Sequence, residues 1–95
     1  MGFAYAIDHV TVKNTLKWAE YRSRVPATLE PWKAELILRG KLTCILNGSH
    51  SHQDTVVIRF PDMEALNQWH ASPAYQYLVP LRQEAADMDL LAFQE

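Results

Sequence analysis

The chain has one cysteine in 95 residues, and that scarcity removes several classes of protein at once. Cys44 can form no intrachain disulfide, and thiolate-rich zinc and iron–sulfur sites are excluded. It lies in the apolar run Leu42–Leu46, so it is expected to be a buried structural thiol. Charge of one sign is lacking as well. Nine Lys and Arg against eleven Asp and Glu leave −2, a balance that points to neither nucleic acid nor an anionic membrane surface. No apolar run approaches the ~20 residues that span a bilayer. Asp8 and His9 interrupt the start, with no basic region ahead of an apolar stretch, so no secretory signal is expected. These absences together predict a reducing, cytoplasmic setting. There is no Gly-rich phosphate loop, metalloprotease helix, nucleophile elbow or two-cysteine redox motif.

Apolar side chains are abundant. They make up 48% of the chain, with 21% charged, the balance of an ordinary globular protein and not of a disordered one. The length fits a single domain covering 1–95. Residues 4–13 alternate as a strand does, with Ala4, Ala6, Asp8, Val10 and Val12 on one face and Tyr5, Ile7, His9 and Thr11 on the other. Asn14 reads as an N-cap. Trp18, Tyr21, Val25, Leu29 and Trp32 then recur at helical spacing, and Pro26 is expected to end the helix near Arg24, with a further turn from Pro26 to Trp32.

Glu35–Leu46 reads as a second strand with a bulge or bend at Gly40, and residues 47–54 as a loop. Thr55–Phe60 is a third strand. Asp62 caps a helix whose inner face carries Met63, Leu66 and Trp69, and Ser72-Pro73 restarts it. Asp89–Gln94 is the last strand. The order β-α-β-β-α-β is the ferredoxin-like α+β pattern, a four-stranded antiparallel sheet with both helices on one face. Strands 1 and 3 are apolar on both sides, as in strands buried on both faces. The sheet face away from the helices is therefore expected to meet a second copy, giving a homodimer whose sheets close a barrel.

Several strings carry a family resemblance. They are Tyr5-x-Ile7 with Val10-Thr11-Val12, Trp18-Ala19-Glu20-Tyr21-Arg22 leading to Val25-Pro26-Ala27-Thr28, and Leu38-Arg39-Gly40. Phe60-Pro61-Asp62-Met63-Glu64-Ala65 follows, then Ser72-Pro73-Ala74-Tyr75-Gln76-x-Leu78-x-Pro80-Leu81-Arg82. The chain resembles the domain-of-unknown-function 1330 proteins of the dimeric α+β barrel superfamily over nearly its whole length. Lys41 and Arg59 depart from the family pattern. The resemblance implies a ferredoxin-like dimer and no particular reaction. More distant members of the superfamily include cofactor-independent monooxygenases, polyketide cyclases, muconolactone isomerases and haem-degrading monooxygenases, with the pocket between sheet and helices. The haem-ligand position of the last group falls on Val79, which cannot bind iron, so no haem is implied.

Asp8 shares its strand face with Val10 and Val12. A carboxylate there must be paired, hydrogen-bonded or shifted toward its neutral form, and the last would suit a general base. The plainer alternative is a structural ion pair with an arginine. Trp69, Tyr75 and Tyr21 are candidates to pack a planar ligand, and Arg39 to grip an acid group. Arg59 would pair at a sheet edge, and Arg82 would be solvated or paired locally. His9 faces the dimer side. His70 suits a helix C-terminus, and His50-x-His52 on a loop is a weak metal pair. No metal and no cofactor is expected to be required. Two functions are compatible with these features. One is a small-molecule pocket protein acting as a cofactor-independent enzyme on an aromatic or polyketide-like acid, with Asp8 as the catalytic residue. The other is a non-catalytic dimeric ligand-binding or accessory module with a closed core.

Overall fold

A computed structural model describes residues 2–95. The elements are β1 (Ala4–Val12), α1 (Thr15–Leu29), a 3₁₀ turn (Glu30–Trp32), β2 (Glu35–Lys41), β3 (Asp54–Phe60), α2 (Met63–Ala71), α3 (Pro73–Gln76), α4 (Val79–Ala85) and β4 (Ala86–Gln94). The sheet is antiparallel in the order β2-β3-β1-β4. The fold is ferredoxin-like. Among the described residues no helix is long and apolar enough to cross a membrane.

The caps fall where short polar side chains precede apolar stripes. Asn14 accepts from the Lys17 amide and Asp62 from the Ala65 amide, at 3.0 and 2.8 Å, each satisfying an orphan donor of its helix. Ser72 joins α2 to α3. Its hydroxyl donates to the Trp69 carbonyl at 2.6 Å and accepts from the Tyr75 amide. Pro73 follows at the first helical position, where a missing amide costs nothing.

Five expectations need correction. Helix α1 runs through Pro26 to Leu29. Proline there removes one ladder bond, to the carbonyl of Arg22, but Leu29 and Tyr21 are buried on the stripe either side, and that packing outweighs the lost bond. Strand β2 stops at Lys41, and its irregularity lies between Leu36 and Leu38 instead of at Gly40. Cys44 is consequently in the loop that follows, and is exposed. Strand β4 begins at Ala86, because Ala86, Met88 and Leu90 continue the inward alternation paired with Val12, Val10 and Asp8.

The core lies between the sheet and the helices. Phe60 and Tyr75 are completely buried, with Trp69 at 2% exposure. The opposite sheet face is bare. Leu38, Val57, Ile7 and Leu91 pair in register to make one apolar row across all four strands, and Leu38 and Leu91 are half exposed.

Ser72 holds the corner that sets Trp69 against Tyr75. Ser72→Ala is expected to lower stability by about 1 kcal/mol, read as a lower urea midpoint at unchanged slope.

Candidate functional site

The inner face of β1 begins with two small residues. Ala4 and Ala6 leave room above the sheet, and Asp8 follows two residues on. It pairs with Val56 on β3 and Leu90 on β4, so it sits in mid-sheet on the helix side. Asp8 is 7% exposed. Its Oδ1 is buried and accepts no hydrogen bond. A carboxylate left so in an apolar site is costly when charged. Burial accordingly pushes the Asp8 pKa up to about 7, against the opposing pull of the Arg82 charge. Among the described residues Asp8 forms no ion pair, so the structural-pair alternative does not describe it.

Asp8 lies on the wall of a cavity of about 180 Å³ under α1, together with Tyr21, Trp69 and Arg39. The other walls are mostly apolar, from Trp18, Val25, Leu29, Leu36, Val56 and Ile58. The lining residues Arg22, Pro26, Glu30 and Arg39 are exposed, which puts the mouth between α1 and β2. Tyr75 is not on this wall. It lies behind it, with its ring 4.3 Å from Trp69 and its hydroxyl 2.9 Å from that of Tyr21.

Arg82 is half-buried and among the described residues pairs with no acid. It donates from Nη1 to Tyr75 Oη at 2.8 Å. Arg82, Tyr75 and Tyr21 thus form a hydrogen-bonded chain that ends at the cavity. Burial, reinforced by Tyr75 and then by Asp8, holds the Tyr21 hydroxyl protonated far above the ordinary tyrosine range. Trp69 spends its indole N–H on Thr28 Oγ1 at 3.0 Å, and Thr28 donates to the Val25 carbonyl. The ring is therefore fixed in orientation and offers the cavity an apolar surface.

The model of one protein family, the domain of unknown function DUF1330, matches residues 3–95. The chain belongs to this family. No functionally curated protein matches it. Among solved structures, a protein of unknown function from Rhodopseudomonas palustris superposes with a TM-score of 0.83 at 17% identity, covering 99% of this DUF1330 chain and 82% of that one. A dimeric ferredoxin-like protein of unknown function from Jannaschia sp. CCS1 gives 0.77 at 12% identity, covering 99% and 100%. SnoaB, a cofactor-independent oxygenase from Streptomyces nogalater, gives 0.70 at 12% identity, covering 100% and 94%. Identities this low show a shared fold and nothing finer.

Two features of this DUF1330 chain escaped the sequence reading. Arg22 and Thr28 escaped because a count of apolar residues at helical spacing passes over polar ones. Arg22 follows Trp18 by one helical turn, and that spacing could have placed it. The second feature is a histidine group on the bare sheet face. His9 bonds Thr55 at 3.1 Å and lies 4.9 Å from the His50 ring, while His52 bonds Thr11 and Asp89 at 2.8 and 3.0 Å. Among the described residues no group of three or more His, Cys, Asp or Glu side chains is arranged to hold a metal ion. Arg59 pairs with Glu35 at 3.1 Å on that same face and caps the Phe3 ring.

Asp8 gives the stability a definite pH dependence. The unfolded carboxyl loses its proton near 3.8, and the folded one near 7. Between these values the folded chain holds the extra proton, so stability falls as pH rises, then levels off above the folded pKa. The native chain is expected to lose roughly 4 kcal/mol between pH 4 and pH 8 that Asp8→Asn does not lose. Urea titrations of both proteins across that range test it; parallel pH profiles would refute it.

Proposed function

We propose that each subunit binds a small molecule in the cavity under α1 and that Asp8 accepts a proton from it. One observation carries this reading: an inward carboxyl whose Oδ1 has no partner among the described residues, on the wall of a mostly apolar cavity. A general base works best when its pKa lies near the working pH, and Asp8 at about 7 meets that condition. The removed proton moves from the substrate to the carboxylate, its bonding pair stays on the substrate, and the conjugate acid returns the proton to product or water. Trp69 and Tyr21 would pack the ligand's flat faces. Tyr75 would support it through Tyr21, and Arg39 would meet an acid group. SnoaB, a cofactor-independent oxygenase on the same fold, supports a reaction that needs no cofactor. The cavity is smaller than the ~300 Å³ or more usual for drug-sized ligands, which limits the ligand to about one ring. A binding module without proton transfer is the alternative, and the Asp8 variant separates the two.

Native mass spectrometry of freshly purified protein is expected to show a small molecule travelling with the chain. Asp8→Asn is expected to keep that molecule and to turn it over roughly 10²-fold more slowly. Turnover at the native rate would remove Asp8 from the chemistry.

We also propose that the working form is a homodimer, closed through the bare sheet face. The row Leu38, Val57, Ile7 and Leu91 is the support from this chain, and the description of the Jannaschia protein as dimeric is the support from elsewhere. Dimers of this kind commonly bury more than ~2,000 Å² in total. Sedimentation equilibrium should give about twice the chain mass of 10.9 kDa. Val57→Glu, at the centre of the row, should shift it to the monomer.

A further inference from the structure

The chain has five arginines, and three are engaged. Arg24 pairs with Glu20 at 3.0 Å, Arg59 pairs with Glu35 at 3.1 Å, and Arg82 donates to Tyr75. Arg22 and Arg39 form neither an ion pair nor a side-chain hydrogen bond among the described residues. These two are the arginines that line the cavity. Both also line a groove running outward past Gly40 and Lys41, so they stand where the cavity meets solvent. Glu30, on the same wall, is paired with neither, and Lys41 in the groove is taken by Asp54 at 3.3 Å.

The register sets the distance from these arginines to Asp8. Asp8 pairs with Val56, and Val56 pairs with Arg39. Acid and guanidinium therefore share one rung of the inner face, two strand spacings apart, about 9–10 Å between backbones. Val56 lies between them on the sheet, and Trp18 and Tyr21 line the same cavity. Neither guanidinium forms an ion pair with Asp8, so the pair at the mouth is not occupied in neutralising it. Two free guanidiniums at the entrance of an apolar slot match a carboxylate, which each can grip through parallel N–H···O bonds.

We propose that the ligand is a one-ring aromatic carboxylate, its acid group held between Arg22 and Arg39 at the mouth and its opposite edge presented to Asp8. The proposal rests on the reading of the cavity as a ligand site, and names what that site selects. A cavity of about 150 Å³ is known to take up benzene, so about 180 Å³ holds one ring and not a fused pair. The proton that Asp8 accepts is then on the substituent opposite the carboxylate.

The test uses 4-hydroxybenzoate, its uncharged counterpart 4-hydroxybenzamide, and 2-hydroxybenzoate, titrated at pH 8 against the fluorescence of Trp18 and Trp69. The 4-hydroxy acid is expected to bind at least about tenfold more tightly than the amide, the scale of one charge-assisted hydrogen bond. Arg22→Gln and Arg39→Gln should each bring the acid down to the level of the amide and leave the amide unchanged. The 2-hydroxy acid, with both groups on one edge, should bind more weakly than the 4-hydroxy acid. If acid and amide bind equally, or if the arginine variants weaken both alike, the clamp is wrong and the cavity remains a ligand site. If neither probe binds, the ligand reading falls and the clamp with it.

Discussion

Strand β1 is hydrogen-bonded on both sides, and its side chains must alternate between the two faces of the sheet. That constraint governs the rest of the molecule. Ala4, Ala6 and Val10 are fully or almost fully buried on the helix side, and Asp8, in the same series, has to go with them. A shift of one residue would turn every member of the set to the other face, with Ile7 and His9 driven into the core. Asp8 is thus held inside by its neighbours. Its own carboxyl gains no hydrogen bond at Oδ1 in return. The fold carries a group that opposes folding at neutral pH, and the small residues before it supply the space in which that group meets a cavity.

The positive charges around Asp8 divide into two groups with different duties. Arg82 stands behind the tyrosines and passes its hydrogen bond through Tyr75 to Tyr21. Tyr75, fully buried, can keep a polar hydroxyl in the core only because both neighbours satisfy it. Arg22 and Arg39 stand in front, at the mouth, with no ion pair among the described residues. The cavity is therefore polar at its two ends and apolar between, as a site must be to fix the orientation of a flat molecule.

Much of this was legible in the sequence, where a local rule and the tertiary packing agree. The caps at Asn14, Asp62 and Ser72, the four strands and the inward face of Asp8 all follow from short-range chemistry or from period-two alternation. Disagreements arose where two rules compete at one residue. Pro26 should end a helix, but the buried residues on either side of it continue one. Leu36-Ile37-Leu38 is apolar throughout, so a bulge within it leaves no mark in the hydropathy, and Gly40 drew the irregularity instead. The end of β2 at Lys41 then left Cys44 on the surface. The meeting of His9 with His50 and His52 depends on contacts between segments far apart in sequence, which no local pattern records.

Pro26 lines the cavity and cannot donate to the carbonyl of Arg22, so the helical ladder is unfastened beside the mouth. The last turn of α1, Val25–Leu29, is one backbone bond short and is packed down by the buried Thr28 and Leu29. Segments of that kind open locally at a fraction of the cost of global unfolding. The cavity opens between α1 and β2, so a local opening of that turn would widen the mouth without moving the sheet or Asp8. A residue other than proline at 26 would restore the missing bond and stiffen that turn, with the cavity floor left as it is.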